Sequence, residues 1–173
     1  DLHWFFNKWV YSAGWPSYEY AFQSATINNK FYVRLYLHQS QNTTYGTFTM
    51  PIDLRMNRSG GSSTVTLWND AITEHYVIPV TAPVLNVVLD EFNWILNGTK
   101  TSVTYVPGPP KVVELSPTPG AVFNPTAGPT SIRVTFSENV TTAAANFTLT
   151  RDGTPVTPSS QSYDLPNFTQ VLN

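Results

Sequence analysis

The chain contains no cysteine, so it can build neither a disulfide framework nor a thiolate metal site. A cysteine-free domain suits a secreted bacterial protein and a cytosolic one alike, so this absence does not fix the compartment. Charge is scarce as well. Charged residues make up 12% of the chain, where a globular protein averages roughly a quarter. Nine basic and eleven acidic side chains leave a net charge of -2 with no basic stripe, which argues against nucleic acid as a partner. Long hydrophobic runs are missing too. The best candidate, VIPVTAPVLNVVL at 77–89, is broken by Pro79 and Pro83 and is too short to span a bilayer. No signal peptide stands at the start, and the first residue is Asp1 rather than Met. The sequence therefore reads as an excised piece whose targeting information lay upstream.

What the chain does have is aromatic weight. Rings account for 14% of its 173 residues and apolar side chains for 41%, enough for one domain or two small ones with real cores. Thr, Asn, Ser and Gly carry the polarity, a balance common in extracellular β proteins. Residues 3–20, HWFFNKWVYSAGWPSYEY, hold eight aromatic rings. Leu2, Phe5, Phe6, Trp9 and Val10 have the spacing of one helical face. Asp1 suits the N-terminal end of such a helix, and Gly14 and Pro16 suit its stop. The spacing predicts a short helix of about three turns.

From Tyr18 onward the period changes to two. YEYAFQSATI is followed by KFYVRLYLHQSQ, in which Phe31, Val33, Leu35 and Leu37 point one way. GTFTMPIDLRMN puts Phe48, Met50, Ile52, Leu54 and Met56 on one face. SGGSS at 59–63 reads as a hairpin loop, and STVTLWND, EHYVIPV and APVLNVVLDEFNWIL supply further strands, the last with a turn through Asp90–Asn93. Short strands at hairpin spacing predict an antiparallel β-sandwich. VPGPPKV at 106–112 then reads as a stiff linker. Beyond it a strand at 112–115, the alternation of Ile132, Val134 and Phe136, the pair Phe147 and Leu149, and an Asp-Gly turn in RDGTPV predict a second, smaller β-sandwich that ends in mid-pattern. The expected organisation is a helix over 1–16, a β-sandwich over 17–106 and an Ig-like β domain over 107–173.

The opening stretch resembles the junction in zinc aminopeptidases of the aminopeptidase N family, where the last catalytic helix passes into a β-sandwich. Phe5, Phe6, Trp9, Tyr11, Gly14 and Pro16 stand where that family has a two-Phe helix start, a Trp one turn on, then Tyr, Gly and Pro. YVRLYLHQSQ looks like its strand ending in Gln-x-Gln, GTFTMPIDLRM like its Phe-x-x-Pro strand, and NVVLDEFNWIL like its closing Val-x-x-Asp-x-x-x-Trp-x-Leu. The four pieces cover about 1–105, in the family's order. Residues 109–157 resemble the Ig-like modules of bacterial surface proteins, through VVELSPTPGA, SIRVTFSENV and NFTLTRDGTPV.

The first resemblance implies a metallopeptidase, yet its His-Glu-x-x-His helix is missing. The histidines are His3, His38 and His75, far apart and in no ligand spacing. No Gly-x-Ser-x-Gly elbow occurs. Asp90 and Glu91, with Asn93 nearby, read as a turn capped by Asp rather than a calcium loop. The six Asn-x-Ser/Thr sites, at Asn42, Asn57, Asn97, Asn139, Asn146 and Asn167, would mark glycans in a secreted eukaryotic protein; in a bacterial one they follow from Asn and Thr richness, the reading taken here. No residue of the chain is expected to be catalytic or to bind metal or cofactor. The resemblance implies a non-catalytic C-terminal segment of a secreted or cell-surface bacterial aminopeptidase-like protein, whose zinc and peptide substrate belong to an upstream catalytic domain. Leu2, Phe5, Phe6 and Trp9 would dock on that domain, or else cover an open end of their own sandwich. The rival reading is a carbohydrate-binding or adhesive module using exposed Trp15, Trp68 and Trp94, although Trp94 in NWIL is expected in the core.

Overall fold

Alternation of apolar and polar side chains sets the strands. β1 (Tyr18–Ile27) and β2 (Lys30–Gln39) are joined by Asn28 and Asn29, both at positive φ (48° and 59°), the two-residue turn whose twist suits paired strands. β3 (Met50–Arg58) and β4 (Gly61–Asn69) form a second hairpin. β5 (Thr73–Val80), β6 (Asn86–Leu89) and β7 (Lys100–Ser102) follow. The computed structural model describes residues 1–122, 128–141, 147–151 and 153–173. They divide into two compact units, Asp1–Thr26 with Lys30–Pro109, and Ile27–Asn29 with Pro110–Asn173.

The fold is all-β with one short N-terminal helix. In the first unit one sheet has the order β5-β2-β1-β7 and the other β4-β3-β6. Val33, Leu35 and Leu37 of β2 and Met50, Ile52, Leu54 and Met56 of β3 are buried in a single core. Full burial of such side chains stabilises by roughly 1.5–3 kcal/mol each. One pairing departs from the antiparallel expectation: β7 runs parallel to β1, with Tyr18 opposite Lys100 and Tyr20 opposite Ser102. β7 is reached from β6, in the opposite sheet, by the crossover through residues 90–99 rather than by a hairpin, so its direction is free of the hairpin constraint.

The helix also departs from its expected form. It is α-helical only over His3–Phe5 and continues as a π turn over Phe6–Val10, closed by Tyr11 N–H donating to the Phe6 carbonyl at 3.0 Å. It thus ends before Gly14, and the wider turn brings the Phe5 and Trp9 rings to 6.5 Å in a stacked arrangement. Gly14 serves the chain reversal that follows, at φ +90° and so close to Tyr45 that a Cβ would lie 2.5 Å from its ring.

The second unit contains β8 (Val112–Ser116), β9 (Ile132–Phe136), β10 (Leu149–Arg151), β11 (Thr154–Val156), β12 (Gln161–Asp164) and β13 (Thr169–Leu172). An antiparallel sheet of order β12-β13-β9-β8 accompanies the ribbon β10-β11. The Asp-Gly turn expected in RDGTPV falls on Asp152, and one of the Asn-x-Thr sites on Asn146; both lie outside the described residues.

Candidate functional site

Where the helix meets the sandwich of the first unit, a polar network fixes the geometry. Gln39, 2% exposed, donates from Nε2 to the Phe48 carbonyl and to Asn69 Oδ1, both at 2.6 Å, while its Oε1 accepts from Phe48 N–H at 2.8 Å. Asn69 Nδ2 donates to the Ala71 carbonyl and to Glu74, and the Tyr76 hydroxyl lies 2.6 Å from Glu74 Oε2 and 2.7 Å from the Trp68 carbonyl. Burial, with the neighbouring Glu74 carboxylate, pushes the Tyr76 phenol well above its ordinary range; burial does the same for Tyr18. The Phe48 segment so held is the seat of the helix. Trp9 packs on the Phe48 ring at 5.2 Å and donates Nε1–H to the Thr49 carbonyl at 3.2 Å. Lys8 sits 4.0 Å above the Phe48 ring and donates to the Tyr45 carbonyl; burial lowers its pKa.

The helix, β3, β4 and the loop after β6 enclose a cleft of about 460 Å³. Trp4, Phe5 and Trp9 form the helix side, Pro51, Asp53 and Thr66 the sheet side, and Trp94, Ile95 and Leu96 the loop side. The loop owes its shape to Asp90, which is 1% exposed and at positive φ (45°). Its carboxylate accepts from Trp94 N–H at 2.9 Å, Ile95 N–H at 3.4 Å and Asn97 Nδ2 at 2.9 Å, and Lys100 Nζ donates to its backbone carbonyl at 2.6 Å. Asp53 Oδ1 accepts from the Thr66 hydroxyl at 2.6 Å. Arg55, two residues on in β3, is engaged by Glu91 through both carboxylate oxygens at 2.6 Å.

The four residues expected to dock separate here. Phe5 and Trp9 line the cleft, whereas Leu2 and Phe6 do not and are exposed. Trp94 does not take the core position expected of it and is 78% exposed. Asp90 draws residues 94 and 95 into a turn, so Ile95 packs on the core and Trp94 faces out. Trp68 is exposed and meets Trp4 edge to face at 5.5 Å, with 77° between the rings; Trp15 is exposed as well. Trp4 and Asp53 escaped the sequence reading: Trp4 falls off the i, i+4 face, and an outward Asp in a strand looks like any solvated one.

The histidines are dispersed. His3 contacts Asp1, His38 Nδ1 lies 2.8 Å from Thr73 Oγ1, and His75 Nε2 lies 3.1 Å from the Val106 carbonyl. Among the described residues no group of three or more His, Cys, Asp or Glu side chains is placed to hold a metal ion. No helix among them is long and apolar enough to cross a membrane. Compared with known protein families, curated proteins and solved structures, the chain matches none.

Proposed function

We propose that this chain is a non-catalytic β-sandwich segment of a bacterial zinc aminopeptidase-like protein, secreted or on the cell surface, that braces a catalytic domain and spaces it from its attachment. Zinc and the peptide substrate belong, in this reading, to that domain, placed before Asp1 in the same polypeptide. One observation carries the bracing role: the helix turns Leu2, Phe6 and Val10, at 60%, 44% and 56% exposure, away from the cleft and off its own core. Apolar side chains concentrated on one exposed helix face suit a partner surface. The resemblance of residues 1–105 to the aminopeptidase N family supplies its identity.

The carbohydrate-binding rival draws on exposed Trp15, Trp68 and Trp94. Trp4 and Trp68 meet at 77°, which is not the flat platform on which a sugar chain stacks, so the scaffold reading is preferred. The coding sequence upstream of Asp1 tests the proposal directly. A His-Glu-x-x-His helix in frame is expected. A leader followed at once by Asp1 overturns the reading, as does chelator-sensitive hydrolysis of an aminoacyl-anilide by the purified chain alone.

A further inference from the structure

Beyond the bracing role, and resting on a different part of the surface, we propose that the cleft binds the arginine side chain of an extended peptide segment. The hydrogen-bonding groups of its walls are unbalanced. Asp53 and Asp90 are the charged residues of a lining that, Thr66 apart, is aromatic, aliphatic or thioether, and no Lys, Arg, His, Asn or Gln is among the lining residues. Asp90 is fully committed, to two backbone amides and the Asn97 amide. Asp53 is not. Its Oδ1 accepts the Thr66 hydroxyl, and among the described residues no cation pairs with it. Arg55 is held by Glu91, and Lys100 by the Asp90 carbonyl and Asn93 Oδ1 at 2.7 Å.

A half-buried carboxylate framed by aromatic rings favours a ligand that is cationic, donates hydrogen bonds and carries apolar bulk. Indole faces attract a cation, and the acid accepts its N–H groups. Arginine fits better than lysine, because a planar guanidinium stacks on a ring while still forking onto a carboxylate. The Thr66 hydroxyl is already spent on Asp53, and the indole N–H groups of Trp4 and Trp94 are the donors the walls offer, whereas a sugar also asks for a flat stacking platform, and Trp4 meets Trp68 at 77°. Exposed Leu96 and Trp94 extend the apolar surface past the carboxylate, which suits residues flanking the arginine rather than a free cation.

The test follows the indole N–H signals of Trp4 and Trp94 by NMR as Ac-Leu-Arg-Leu-NH2 is added. Saturable shifts in both are expected, with no shift from the neutral isostere Ac-Leu-citrulline-Leu-NH2. Asp53→Asn keeps the acceptor for Thr66 and is expected to weaken binding about tenfold. Trp94→Ala, at a position too exposed to affect the core, is expected to weaken it several-fold. The proposal is overturned if the arginine peptide gives no saturation at millimolar concentration, if citrulline binds equally, or if Asp53→Asn binds like the parent. N-acetyl-arginine amide binding as tightly as the tripeptide overturns the peptide assignment, and cellohexaose shifting the same signals in place of the peptide returns the cleft to a sugar. None of these outcomes depends on what precedes Asp1, so this inference and the bracing role fail separately.

Discussion

Asn69 shows how much one residue can organise. It is fully buried, and its amide serves Gln39, Ala71 and Glu74 at once, tying the ends of β2, β4 and β5 together. Asn69→Ala leaves the Gln39 amide and the Glu74 carboxylate each short of a partner, so a loss of about 2–3 kcal/mol is expected in urea unfolding. The Gln39-Ser40-Gln41 motif was visible in the sequence as a family resemblance. Its reason was not, because the atoms Gln39 serves lie nine and thirty residues away. The tyrosines beside this network carry a pH dependence. Tyr18 and Tyr76 have pKa values raised above the ordinary 10.0 in the native state. The unfolded phenols ionise near pH 10 while the native ones stay protonated, so their contribution is complete below about pH 10 and is lost as pH rises past it. In an alkaline titration, two of the nine tyrosines should yield phenolate only as the far-ultraviolet dichroism collapses.

At the scale of elements, the strands were legible because a two-residue period survives any packing, and Phe48 through Met56 alternates in the structure as it does in the sequence. The helix was legible only as apolar. Its π turn, where Trp9 sits on Phe48, and the parallel course of β7 after the crossover through Asp90 leave no periodic trace. Of the cleft residues, Phe5 and Trp9 stand out in the sequence as docking residues and Trp94 as a sugar-stacking candidate; Trp4, Asp53 and Thr66 come together only when β3, β4 and the helix are assembled. The two sides of the helix make separable predictions. Trp9→Ala removes a ring from Phe48 and a hydrogen bond from the Thr49 carbonyl, and should cost about 2–4 kcal/mol in thermal or urea unfolding. Phe6→Ser, on an exposed ring, should change stability by no more than about 0.5 kcal/mol, measured by urea unfolding.

For the whole molecule, the Pro-rich stretch is not uniform. Val106 and Gly108 are tied to the first unit: His75 Nε2 meets the Val106 carbonyl, and a Cβ on Gly108 would lie 2.3 Å from the His75 ring. The expected linker therefore begins with residues packed on β5, a close approach that composition alone could not show. Because the core of the first unit is closed within its own strands, residues 1–109 expressed alone should keep their dichroism and unfold in one cooperative step. A non-cooperative, molten fragment would show that the unit needs the rest of the chain. One contact described above also governs how the molecule ages. Asn97-Gly98 is the single Asn-Gly pair in the sequence, and succinimide formation needs a free glycine amide and a mobile asparagine side chain. Here the Gly98 amide donates to the Pro16 carbonyl at 2.8 Å, and the Asn97 side chain is held by Asp90 and by the Ile95 carbonyl at 2.7 Å. Deamidation at this bond must wait for the loop to open, so its slow clock measures the fraction of time that loop spends undone.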